Sequence, residues 1–192
     1  MDKPEGRKAG WELQSTERPF EAKTLTLRKD RLKLPKKDDF SYEYVERAPG
    51  VLIVPVTRAG EIVLIRQYRY PIDQWCLEIP AGGAHDTGDT PLDEVARKEL
   101  HEEVGAEAGE IEKLGTFYPA PAFSDEKCHV FIAWEVELVH RAEQESTEAI
   151  QTKLTPAREA IELARAGRMI NGVCALCLWW AEAPLRARGV LQ

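Results

Sequence analysis

The sequence predicts a mixed α+β domain, layered as α/β/α, and three observations predict it. Strand-like runs come first, one amphipathic helix-like run interrupts them, further strand-like runs follow, and two helix-like runs close the chain. Residues 51–56 (VLIVPV) are apolar and rich in β-branched side chains, the signature of a strand buried on both faces. Leu92, Ala96, Leu100 and Val104 recur at four-residue steps, which lays an apolar stripe along one helix.

Each element follows in order. Residues 1 to about 20 are polar and are expected to be a partly disordered tail, with Trp11 the exception that can pack on a neighbour. Residues 22–34 alternate apolar and polar, a half-exposed strand or hairpin; 35–39 (PKKDD) break it, and 40–45 alternate again with aromatics at 40, 42 and 44. Pro55 in the 51–56 run points to an edge or a bulge. A turn at 58–60 joins it to a strand at 62–68, and 75–80 gives a third, short strand. Gly82 and Gly83 then open an expected flexible loop through Gly88. In the helix at 92–104, Thr90 or Asp89 can cap the start, Pro91 suits the first helical position, and Gly105 ends it. Strands are expected at 111–118 and 128–139, and helices at 156–166 and from 170 to about 186.

The chain has 192 residues, 43% hydrophobic and 31% charged, with 26 Lys+Arg against 33 Asp+Glu and a formal net charge of −7. That composition describes a globular chain, and its acidic balance gives no support to coating of DNA or RNA. No run approaches the roughly 20 apolar residues of a membrane span. Residues 1–10 carry no apolar signal-peptide segment, so a cytoplasmic location is expected, with Cys76, Cys128, Cys174 and Cys177 reduced. Cys174-x-x-Cys177 has the spacing of a redox or metal pair, but it lies in an apolar run with no second pair nearby, which favours core packing.

The helix at 92–104 carries the chemistry. Glu99 and Glu103 are four residues apart and stack on one side, with Glu102 beside them. Such carboxylates repel by about 0.2–0.5 kcal/mol per pair on a solvated helix. A divalent cation reverses that sign, and hard oxygen ligands suit magnesium or manganese.

The stretch from Gly83 to Ala106 (GAHDTGDTPLDEVARKELHEEVGA) resembles the Nudix box, G-x5-E-x7-R-E-U-x-E-E-x-G-U, where U is a bulky aliphatic residue. The core E-U-x-E-E-x-G matches without a gap. Lys98 stands where the family has Arg, with Arg97 next to it; Asp89 stands for the first Glu, one residue further from Lys98 than the pattern has; Ala106 is small for the last position. Beyond the box, VLIVPV at 51–56, VLIRQYR at 63–69 and LEIPAG at 77–82 are similar to the ADP-ribose pyrophosphatase branch, as are Pro121, FSDE at 123–126, EAIQ at 148–151 and AGRMIN at 166–171.

The resemblance implies an α+β Nudix-type α/β/α sandwich with a mixed sheet and an N-terminal antiparallel β-region. Residues 1–47 would form the tail and strand region, open to exchange across a homodimer, and 48–192 the Nudix hydrolase domain. It implies hydrolysis of the pyrophosphate of ADP-ribose, or of a related nucleoside diphosphate sugar, with Mg2+ or Mn2+. A GDP-mannose-type substrate and a non-hydrolysing nucleotide sensor are the alternatives. By the same resemblance Glu99, Glu102, Glu103 and the Ala81 carbonyl would hold the metal. Glu102, Glu103 and Glu148 would be catalytic, Glu148 as general base with Glu143 and Glu145 as rivals. Arg69, or Arg66 in its place, would meet the substrate. Glu78 would either bind substrate or be the buried partner of a cation, the second being favoured. Phe40, Tyr42 and Tyr44 can stack a base or simply pack. His101 is expected to face solvent, and His129 lacks the company a zinc site needs. Neither nucleic acid nor membrane is expected as a partner.

Overall fold

The computed structural model describes residues 3–84, 88, 90–139 and 150–191. They divide into two compact units, one formed by residues up to 48 together with 118–127, the other by 49–117 and the residues from 128 onward.

The first unit contains a short helix α1 (Pro4–Lys8) and the strands β1 (Glu12–Glu21), β2 (Thr26–Leu34) and β3 (Lys37–Glu46), joined in that order as an antiparallel sheet. The tail expectation is therefore corrected for the described residues from 3 to about 20. β1 is exposed along almost its whole length and is held by its backbone ladder to β2, so it lacks the apolar alternation that marks a strand in sequence. The segment 118–127 clips onto β3: the amide of Val45 donates to the Phe123 carbonyl at 2.8 Å, and the Tyr42 hydroxyl donates to the Ala122 carbonyl at 2.8 Å. Beneath the sheet, Arg28 donates to Asp30 at 2.7 Å and to Glu46 at 2.8 Å, and Thr16 donates to Asp30 at 2.7 Å.

The second unit is built on β4 (Gly50–Thr57), β5 (Glu61–Arg69), β6 (Gln74–Glu78), β7 (Ala81–Gly83), β8 (Ala106–Glu107), β9 (Glu110–Phe117), β10 (Cys128–Leu138) and β11 (Ile150–Pro156). The central order is β11-β5-β4-β10-β8, with β6 on β5, β7 on β4 and β9 on β10; β4 and β10 run parallel and the remaining pairs antiparallel, so the sheet is mixed. Period-two alternation sends successive side chains of each strand to opposite layers. Val51, Ile53, Val63, Ile65, Phe131 and Ala133 meet Val95, Ala96, Leu100 and Val104 of helix α2 (Leu92–Val104). Leu52, Val54, Leu64, Val130 and Ile132 meet Ala160, Ile161, Cys177, Leu178 and Leu185 of helices α3 (Ala157–Arg165) and α4 (Gly172–Ala187). Each fully buried Val, Leu or Ile contributes about 1.5–3 kcal/mol relative to exposure. This α/β/α sandwich is the fold the sequence predicts.

Local differences have local causes. Pro55 lies in a central strand, not at an edge, and the expected bulge falls on its partner: β10 shifts register between Ala133 and Val136, where Glu135 takes φ +53°. Gly82 and Gly83 are not loop but strand β7, paired with Val51 and Gly50. Pro91 occupies the cap position of α2 rather than its first turn, and among the described residues no side chain caps the helix there. Gly105 ends α2 at φ +66°, its amide donating back to the helix as expected. Pro156 closes β11 instead of opening α3. Asn171 caps α4, its Oδ1 accepting from the amides of Val173 at 3.1 Å and Cys174 at 3.4 Å. All four cysteines are free and buried, and burial pushes the Cys174 thiol up to about 12, which fits packing rather than redox chemistry. No helix among the described residues is long and apolar enough to cross a membrane.

Candidate active site

Helix α2 turns its apolar stripe to the sheet and thereby fixes where its acids go. One helical turn separates Glu99 from Glu103, so both side chains lie toward the β4–β7 end of the sheet, where β7 runs antiparallel to β4. Glu103 is only 5% exposed, and its Oε2 accepts from the Ala81 amide at 3.0 Å. The Glu99 carboxyl lies against the next residue, directly on the Cα of Gly82. Two carboxylates thus converge on a single dipeptide. Glu102, 100° further round the helix, is not part of that convergence: it lies along the surface, 3.6 Å from the Lys98 ammonium. Lys98, at the Arg position of the box, and its neighbour Arg97 are both engaged within the chain, Lys98 with Glu102 and Arg97 donating to the carbonyls of Ala108 at 2.6 Å and Gly109 at 3.4 Å.

The hairpin of β5 and β6 brings together two further residues named from sequence. Glu78 is 1% exposed, and Arg69 grips it through two parallel N–H···O bonds, Nε to Oε1 at 2.9 Å and Nη2 to Oε2. The hydrogen bond to Glu78 raises the Arg69 guanidinium above its ordinary pKa; burial opposes this, and the charges of Glu78 and Glu103 add to it. The side chain of Arg69 remains 42% exposed. Arg66 points elsewhere: it is exposed, stacks 4.6 Å from the Trp75 ring centre, and reaches Gln151 at 3.4 Å. Ile150, where the chain enters β11, pairs with Gln67, and Gln151 with Arg66. Glu148, its rivals Glu143 and Glu145, and Asp89 lie outside the described residues.

The donor chemistry can be tested against a divalent cation. Among the described residues no three acidic, histidine or cysteine side chains form a ready cage. Two carboxylates beside a backbone segment nevertheless fit Mg2+, which keeps several waters and is usually held by one or two carboxylates together with substrate phosphates. His101 is exposed on α2, and His129 meets the Thr116 hydroxyl at 3.0 Å. In the first unit, Trp11, Phe40, Tyr42 and Tyr44 form an edge-to-face and tilted ladder with centroids 6.1–6.4 Å apart. Trp11, Tyr42, Tyr44 and Tyr118 line a cavity of about 660 Å3 in that unit. Sequence reasoning did not anticipate the roles of the Ala81 amide and of Gly82 as supports for the two acids. The available signal is the glycine doublet after Pro80-Ala81, which by itself reads as a flexible loop rather than as a support for the chain's own carboxylate.

A sandwich with acids gathered at the junction of a short strand and the following helix matches a known family. The NUDIX domain model matches residues 46–171, and the chain belongs to the Nudix family of hydrolases. It is 32% identical over 150 residues, 76% of this chain and 80% of the relative, to an ADP-ribose pyrophosphatase of Bacillus subtilis (strain 168). It is also 32% identical over 164 residues, 85% of this chain and 79% of the relative, to an ADP-ribose pyrophosphatase of Mycobacterium tuberculosis (strain ATCC 25618 / H37Rv). In fold it is similar to a solved structure described as an ADP compounds hydrolase, with TM-score 0.80 and 20% identity over 94% of this chain and 97% of that one.

Proposed function

We propose that this Nudix hydrolase cleaves the pyrophosphate of ADP-ribose, with water, to AMP and ribose 5-phosphate, using Mg2+ or Mn2+. The observation that carries the reading is the convergence of Glu99 and Glu103 on Ala81-Gly82. The names of the two relatives support the substrate. Glu99, Glu103 and the Ala81 carbonyl would hold the cation, with Glu102 joining when it leaves Lys98. Bound there, the cation would neutralise charge on the phosphates and lower the pKa of a coordinated water. Glu148 would take the proton from the attacking water. Arg69, kept charged and oriented by Glu78, would offer its exposed edge to a phosphate, a role for which a guanidinium is shaped. Arg66, held by Trp75 and Gln151, is the weaker candidate for that contact.

Glu103→Gln tests the reading. The amide oxygen of Gln can still accept from Ala81, so the fold is retained, while loss of the charge lowers kcat/KM by about a hundredfold or more. Unchanged turnover overturns the assignment. The same assay across ADP-ribose, GDP-mannose and other nucleoside diphosphate sugars tests the substrate: no activity on ADP-ribose beside turnover of another member moves the enzyme to that member, and no turnover of any favours the sensor alternative.

A cytoplasmic homodimer completes the proposal. Trp11, Leu13, Phe20 and Phe123 of the first unit are 37–61% exposed, apolar surface of the kind a second copy would cover. Light scattering at micromolar concentration is expected to give twice the 21.7 kDa chain mass, and a monomeric mass refutes the dimer.

A further inference from the structure

We propose that Gly82 is a positioning residue, and that the empty place of its side chain is the seat of the Glu99 carboxylate. A Cβ built on Gly82 would lie 1.9 Å from Glu99 Cδ and 2.2 Å from each of its oxygens. The carboxyl group therefore occupies the space that a side chain at 82 would fill.

Backbone conformation does not account for this glycine. Gly10, Gly60, Gly88, Gly105, Gly167 and Gly189 take positive φ, and Gly82 is not among them. It sits in β7, paired with Val51, where an L-residue can adopt the strand geometry. Nor does rigid packing account for it. Gly115 shows that case: a Cβ there would meet the Trp180 ring at 2.6 Å, and a bulky half-buried ring packed against Phe117 has little room to step aside. At Gly82 the obstacle is the far end of a flexible side chain. An added methyl leaves the strand intact but drives the carboxylate back by more than an ångström to reach ordinary contact.

The adjacent acid completes the argument. The Ala81 amide anchors Glu103, and the bare Cα of Gly82 seats Glu99, so two successive residues of one strand set the spacing of two carboxylates one helical turn apart. A divalent cation tolerates little error, because Mg2+ demands oxygens at 2.0–2.1 Å in near-octahedral array. Disturbing the support of a ligand typically costs 10–100-fold in metal affinity. The inference rests on the metal-site reading proposed above and assigns what holds that site in shape.

The test is Mn2+ titration of the full chain, followed by electron paramagnetic resonance, with no substrate present. For Gly82→Ala the Mn2+ Kd is expected to rise at least tenfold while the Tm stays within about 3 °C of the unaltered protein. Gly50→Ala, whose Cβ would meet only the Gly82 carbonyl at an ordinary 3.6 Å, is expected to leave the Kd unchanged. A Gly82→Ala protein that binds Mn2+ within twofold of the original overturns the inference and leaves the functional reading standing. An equal loss in Gly50→Ala overturns it as well, since general disturbance of β7 would then suffice. So does a Gly82→Ala protein that fails to fold, because only a carboxylate should have to move. If the unaltered protein shows no saturable Mn2+ binding, the functional reading itself falls and takes this inference with it.

Discussion

In the sandwich unit most of the fully buried side chains are Val, Ile, Leu, Ala and Cys from both faces of the sheet, with Glu78 and Thr155 as polar members, whereas in the three-stranded unit the buried side chains among the described residues are Arg28, Asp30 and Tyr44. The sandwich supplies its own cover, with α2 on one face and α3 and α4 on the other. The smaller unit leaves Trp11, Leu13, Phe20, Leu25, Tyr118 and Phe123 at least 37% exposed, and its interior is a charge network. Apolar burial is tolerant of detail and rewards area. A buried ion pair gains little net free energy over an apolar substitute of the same size, yet it is costly to break and fixes one geometry. The difference teaches that one chain can use apolar packing to carry the catalytic framework and buried charge to fix the register of a unit too small for a core.

Two truncations sharpen that comparison. Arg28→Ala leaves Asp30 buried beside Thr16 without its cation and is expected to cost the three-stranded unit about 3–5 kcal/mol. Leu178→Ala opens a cavity between α4 and the sheet and is expected to cost the sandwich about 2–5 kcal/mol. Hydrogen exchange mapped by peptide separates them, because units open locally as well as globally. Arg28→Ala should speed exchange in β1–β3 and spare β4 and β10, and Leu178→Ala should do the reverse. Equal acceleration in both units after either change would show that the two forms of cohesion are not independent.

The sandwich is the more legible of the two in sequence, for the same physical reason. The period-four stripe of Leu92, Ala96, Leu100 and Val104, stopped by Gly105, marks α2 with its bounds, and the β-branched runs mark β4 and β5. Strands that bury little leave no such trace. β1 (ELQSTERPFE) is exposed along nearly all its length, and β11 (IQTKLTP) buries only Ile150 and Thr155, so neither alternates visibly. At the site, helix spacing makes the neighbourhood of Glu99 and Glu103 readable, but it also puts Glu102 beside them, although the same spacing pairs Glu102 with Lys98 four residues back, which draws it along the surface. Arg69 and Glu78 were each named, but their pairing depends on the β5–β6 register that sets Ile65 opposite Glu78 and Arg69 opposite Gln74. The seat on Gly82 needs β7 beside α2, a meeting that no local pattern encodes.

Acid should divide the units less severely than truncation does, and in a stated direction. Burial alone would push the Asp30 carboxyl up from its ordinary 3.8, but the hydrogen bonds from Arg28 and Thr16 and the charge of Arg28 outweigh it and hold the carboxyl below that value. Glu46 follows the same balance: burial raises it, and the hydrogen bonds from Arg18 and Arg28 bring it below its ordinary 4.5. A carboxylate whose folded pKa lies below its unfolded one binds protons first in the unfolded chain, so stability falls as pH falls. The contribution of both groups is fully present above the unfolded values of 3.8 and 4.5 and is lost as pH drops through the lower folded ones. Between pH 6 and pH 3 the ratio of exchange protection in β2 and β3 to that in β4 and β10, taken at each pH, should hold steady and then decline below about pH 4. Added salt should change this little, because a buried pair is poorly screened, whereas the exposed Arg31–Asp39 pair on the same sheet contributes only at low ionic strength. A ratio that stays level to pH 3 would mean that the buried charges do not hold the small unit together, and its cohesion would have to come from the aromatic ladder on β3 instead.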